Sequence, residues 1–140
     1  MTHSKRWVVL VMVAALPLVG YGEAPAEKKG HTPPATLEPT QDPAIKRVRL
    51  TEQAAERLGI QFGEVRAAGQ WLEAPYSALF YDASGGQWLY ISPQPLVFER
   101  ARIRVERIEK DKMYLSEGPH AGTKVVTVGA TLLFGAESGL

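Results

Sequence analysis

Between Ala74 and Glu137 short apolar stretches recur at close intervals, each ended by glycine or proline. That rhythm reads as closely spaced short strands joined by tight turns. Leu79 and Tyr81 run into Asp82-Ala83-Ser84-Gly85-Gly86, a glycine-containing hairpin loop, and Trp88, Leu89, Tyr90 and Ile91 follow as an apolar, aromatic strand. Pro93 and Pro95 end that strand or confine it to an edge, because proline has no N–H to give to a ladder. Ala101, Ile103 and Val105 then point to one face while Arg100, Arg102, Arg104 and Glu106 point to the other. Leu96 and Phe98 are out of phase with that set, which predicts a bulge near Glu99. Lys110-Asp111-Lys112 turns the chain into Met113–Leu115, Val125–Val128 supplies a last strand, and Leu132, Leu133 and Phe134 pack back as a cap. The expected fold is mainly β: a small antiparallel β-barrel or sandwich with one short helix.

Upstream, Ile45–Leu50 alternates apolar Val48 and Leu50 with Arg47 and Arg49, the pattern of a half-buried strand. Thr51 is a natural N-cap, Glu52 sits favourably in the first turn, and Leu58-Gly59 closes a short helix with a glycine cap. Residues 45–137 thus form one β domain, with 138–140 as a tail. Residues 23–44, rich in Ala, Pro, Glu, Lys and Thr, have too little apolar content to pack a core and read as a disordered tether. Residues 1–22 begin with His3, Lys5 and Arg6 ahead of an apolar run from Trp7 to Leu16, the order of a secretory leader. The run is short for a membrane span and Pro17 weakens it, so export is expected over anchoring. Tyr21 stands where a lipoprotein would need cysteine, so lipid anchoring is excluded and the expected compartment is the periplasm or its inner-membrane face.

A net charge of +1, from 16 basic and 15 acidic residues, gives no field for nucleic acid. The absence of cysteine removes disulfides, thiolate metal sites and a thiol nucleophile. A hydrolytic triad needs a base, and beyond the tether the one histidine is His120, in a Gly118-Pro119 loop where a solvated turn position explains it better. No spacing of His, Asp and Glu suits zinc. No catalytic residue, cofactor or metal is expected. Arg100, Arg102 and Arg104 are candidates to grip an anionic partner surface or lipid headgroups, although alternating charge on a strand is usually its solvated face. Trp88 and Tyr90 are candidates for a stacking site, against the commoner use of such rings as core.

Several segments resemble the C-terminal, membrane-proximal region of periplasmic adaptor subunits, or membrane fusion proteins, of resistance-nodulation-division efflux systems. They are Ala74-Pro75-Tyr76-Ser77-Ala78-Leu79, Gly86-Gln87-Trp88-Leu89-Tyr90-Ile91, Phe98–Ile103, and Gly118–Val126 with Gly129-Ala130. The run Leu50–Ile60, ending Leu58-Gly59-Ile60, is similar to the start of mature adaptor chains. Ala74 stands where such chains usually have valine, and Pro119-His120 departs from their usual loop. The resemblance implies a permuted SH3-like domain that works by docking. It also implies that the barrel and lipoyl halves and the long helical hairpin between positions like Val65 and Ala74 are missing, with Ala67-Ala68-Gly69 a site for the joint. The expected partner is an inner-membrane efflux pump or a full-length adaptor, met through Arg100, Arg102, Arg104, Trp88 and Tyr90. The alternatives are a free small-solute-binding β domain using Trp88 and Tyr90, and a vestigial adaptor fragment.

Overall fold

The structure, a computed structural model, describes residues 32–140. The leader and the first part of the expected tether lie outside the described residues. Gln87–Gln94 (β7) organises the rest, because Trp88, Leu89 and Tyr90 are buried in succession. Neighbouring side chains of a strand point to opposite faces, so this strand is covered on both sides. Trp88 and Tyr90 enter one core with Val48, Leu50, Phe80, Phe98, Val126 and Leu133, and Leu89 enters a second with Val65, Ala74, Ile103, Met113, Leu115 and Val125.

Three layers result. The central sheet runs in the order β1 (Ala35–Pro39), β2 (Lys46–Leu50), β8 (Val97–Arg102), β7, β11 (Lys124–Val128), β3 (Gln61–Glu64), with β6 (Phe80–Tyr81) also paired to β7. A second sheet has the order β4 (Arg66–Ala68), β5 (Trp71–Pro75), β10 (Lys112–Glu117), β9 (Arg104–Glu109). All the pairings are antiparallel. Helices α1 (Glu52–Leu58) and α2 (Ala130–Ser138) supply Ala54, Ala130 and Leu133 to the first core. The mainly β, antiparallel, sandwich-like class is therefore the observed one; the sheets do not close into a barrel, and β1 and β3 remain as open edges.

Local chemistry explains most boundaries. The Thr51 side chain accepts the Ala54 N–H at 3.1 Å, and Gly59, at φ +63°, closes α1. The Asp82–Gly86 loop forms as expected, with Phe80 paired to Trp88. Lys110 and Asp111 form the two-residue turn between β9 and β10.

Four expectations are corrected. Ala35–Pro39, read as tether, pairs along its whole length with β2, and Thr51 donates its N–H to Pro34 at 3.1 Å. Alternate positions suffice for an edge strand, so the sparse apolar content there did not prevent order. The bulge sits on β7 rather than at Glu99: Ile91 pairs with Glu99 but Gln94 with Val97, leaving the extra residue in Ser92-Pro93. Phe98 falls out of phase because it faces the first core while Ala101 and Ile103 face the second. Ala67-Ala68-Gly69 belongs to a hairpin, β4–β5, turned by Gly69 at φ +62°. Two α-helices are present instead of one, and the supposed tail belongs to α2, with Ser138 helical and Gly139 capping it.

Candidate docking site

The residues expected to meet a partner are placed very differently from one another. Trp88 and Arg102 are direct cross-strand neighbours, as are Tyr90 and Arg100. The guanidinium carbons of Arg100 and Arg102 lie 4.3 and 4.5 Å from the Trp88 ring centroid, so two cations cover one indole. Its Nε1–H donates to Asp82 at 2.8 Å. Arg104 is elsewhere. After Arg102 the chain leaves the central sheet at buried Ile103 and enters the second sheet as β9, where Arg104 lies 3.5 Å from Glu106. The three-arginine stripe is therefore broken by a change of sheet.

Burial corrects the roles of the aromatic pair and of Arg100. Trp88 is 5 % exposed and Tyr90 fully buried, so neither ring has a free face for a solute or a partner. Arg100 turns inward and donates to Glu137 at 2.9 Å and to the Ala44 carbonyl at 2.6 Å. Glu137 is the residue that sequence reasoning missed. It sits in the last turn of α2, 7 % exposed, and accepts from the Tyr90 hydroxyl, from Arg100 and from the Lys46 N–H at 3.1 Å. Burial first, and then the hydrogen bond to the Glu137 carboxylate, push the Tyr90 hydroxyl above the ordinary phenol range. A lone carboxylate beside Gly135-Ala136 carries no sequence signal for this; the register that sets Tyr90 beside Arg100 was needed to find it.

Asp82 is similarly committed to the fold. Its carboxylate accepts from the Ser84 hydroxyl at 2.7 Å, from the Ser84 and Gly86 N–H groups at 3.0 and 2.8 Å, and from Trp88. The Ser84 and Trp88 bonds chiefly hold its pKa down at about 2. His120 lies in the turn before β11, where its carbonyl accepts the Thr123 hydroxyl at 2.7 Å. Among the described residues no group of three or more His, Asp and Glu is placed to hold a metal ion, and no buried side-chain polar atom lacks a partner. No helix among them is long and apolar enough to cross a membrane.

One open feature is a hollow of about 680 Å³ lined in part by Arg102, His120 and Lys124; another is a groove of about 370 Å³ beside α1. Ala55, Ile60, Phe62, Pro95, Leu96 and Phe98 give it apolar walls, and Glu52, Glu56 and Lys124 its charges. Phe62 lies parallel to Phe98, with centroids 6.2 Å apart, and remains 40 % exposed. Lys124 Nζ sits 3.9 Å from the Phe62 centroid. Leu96 holds φ +63° in the Pro95-Leu96 turn, a conformation that glycine or asparagine adopts more cheaply. Comparison with protein-family models, with curated proteins and with solved structures finds no match for this chain.

Proposed function

We propose that this chain is a non-catalytic docking module of a periplasmic efflux assembly, seated against an inner-membrane pump or a companion adaptor. The observation that carries the reading is the division of labour between interior and surface. Of the side chains best suited to chemistry, Tyr90 and Arg100 bond to Glu137 inside the fold, and Asp82 is committed to Ser84, Gly86 and Trp88. An apolar groove and the free edge of β3 are among the features that stay open. Surfaces of that kind bind proteins. The efflux context is supported by the adaptor-like segments Ala74–Leu79, Gly86–Ile91 and Leu50–Ile60, and the leader-like order of charged and apolar residues in 1–22 supports the compartment.

Crosslinking in intact cells, followed by purification from gently solubilised membranes, tests this. Recovery of an efflux pump or a full adaptor is the expected result. Recovery of neither, with the protein folded and exported, overturns it.

A further inference from the structure

The groove beside α1 meets the free edge of β3 at one residue, Phe62. Its ring forms part of the groove, and its backbone lies on the last strand of the sheet. Which groups of β3 are free follows from the adjoining residue. Val65 donates its N–H to Thr123 at 2.9 Å and accepts from Gly122 at 2.8 Å, so both of its backbone groups face the β11 side. Backbone groups alternate in direction along an antiparallel strand. Gly63 therefore turns inward like Val65, and Phe62 and Glu64 turn their N–H and C=O outward, away from β11.

The other sheet ends are better defended against pairing. The β1 edge finishes at Pro39, β4 has three residues, and β9 carries Arg104, Glu106, Arg107 and Glu109 in sequence. On β3 the only charge is Glu64, while Gln61, Phe62 and Glu64 are exposed.

Charge indicates what the site would take. Among the described residues Glu52, Glu56 and Glu64 form no ion pair, whereas Lys124 is drawn over the Phe62 ring. Arg66, which lines the surface beside Glu64 with Lys124, also forms no ion pair, so three carboxylates stand against two cations and the excess of negative charge favours a basic ligand. An added strand presents side chains alternately to the two faces, so apolar side chains can enter the groove while the backbone pairs with Phe62 and Glu64.

We propose that the β3 edge and the groove beside α1 together receive an extended peptide segment of a partner protein, with apolar side chains alternating with lysine or arginine. This rests on the docking reading above and gives it a site and a partner chemistry.

The test uses the folded protein and a panel of short synthetic peptides with apolar residues at alternate positions and Lys, Glu or Gln between them. The Lys series is expected to bind, and the Glu and Gln series at least about tenfold more weakly. Binding is expected to protect the Phe62 and Glu64 amides of the wild-type protein from hydrogen exchange. Charge reversal by Glu56→Lys, on an exposed helix face, is expected to reduce Lys-series affinity by about tenfold with the melting temperature retained. Glu64→Pro, which removes one outward N–H, is expected to reduce it further.

Failure of every Lys peptide to bind, equal binding of the Glu series, or unprotected Phe62 and Glu64 amides overturns the proposal. Protection that appears on concentrating the protein alone, together with dimers in sedimentation, overturns it in favour of a second copy. A crosslinked pump with no peptide binding removes this site and leaves the docking reading standing; peptide binding with no pump or adaptor recovered does the reverse.

Discussion

Arg100 and Glu137 face each other at 2.9 Å with side chains only 12 and 5 % exposed, and this pair ties β8 to the last turn of α2. Removing one partner of a buried ion pair leaves the other charged and desolvated. Glu137→Ala is expected to cost about 3 kcal/mol, read as a lower urea midpoint. Tyr90→Phe, which keeps the packing and deletes one donor to the same carboxylate, is expected to cost about 1.5–3 kcal/mol. The two losses should not add, since both act on Glu137.

Acid should weaken the Asp82 loop by protonating its carboxylate. The folded carboxyl titrates at about 2, below the ordinary value near 3.8. A depressed folded pKa means that its stabilising effect is complete above the unfolded value and is lost as pH falls from about 4 through about 2. The Trp88 indole N–H, which donates to Asp82, reports this directly. Its proton resonance should shift with a midpoint near pH 2 in the wild type and stay flat in Asp82→Asn.

Lys110 holds φ +57° at the head of the β9–β10 turn, where an L side chain is disfavoured. Lys110→Gly should relieve that cost and stabilise the protein by about 0.5–1 kcal/mol, the gain being limited by the greater freedom of glycine in the unfolded chain. Equal or lower stability in thermal unfolding would show that the lysine side chain makes a compensating contact.

Gly63 marks the close approach of β3 to the second sheet. A Cβ there would lie 2.7 Å from Pro75 Cγ and 3.0 Å from Thr127 Cγ2. The pyrrolidine ring cannot swing aside as a long side chain would. Gly63→Val is therefore expected to destabilise by about 1–3 kcal/mol, and to weaken the β3–β11 pairing selectively, seen as faster exchange of the Val65 amide.

Much of the fold was legible because its rules are local. Thr51 and Gly59 announce α1 by capping chemistry, and Asp82–Gly86 announces its hairpin by turn chemistry. The expectation failed where one residue's role depends on a distant one. Ala35–Pro39 is a strand because β2 lies alongside, and Phe98 is in register because β8 has a core on each face. The candidate site was the less legible part. Alternation along Arg100–Arg104 implied one stripe, but Ile103 carries the chain into another sheet and ends it. Trp88 and Tyr90 were visible as aromatics, yet whether a ring faces solvent is decided by the helices laid over it. The groove that is open combines Glu52 and Ile60 with Leu96 and Lys124, residues from three separated segments with no shared motif.

The strand order of the central sheet also sets the tempo of folding. Within the central sheet β1–β2 and the run β6–β7–β8 join neighbouring strands through short connections; β2 reaches β8 by pairing Val48 with Phe98, β11 reaches β7 by pairing Val125 with Ile91, and β3 reaches β11 by pairing Phe62 with Val126. Each of those long closures must be made before its contacts repay the lost chain entropy, which puts the molecule among slow, millisecond-to-second folders. Until those closures are made Trp88 and Tyr90 stay uncovered, and apolar rings in that condition favour aggregation or capture by a chaperone.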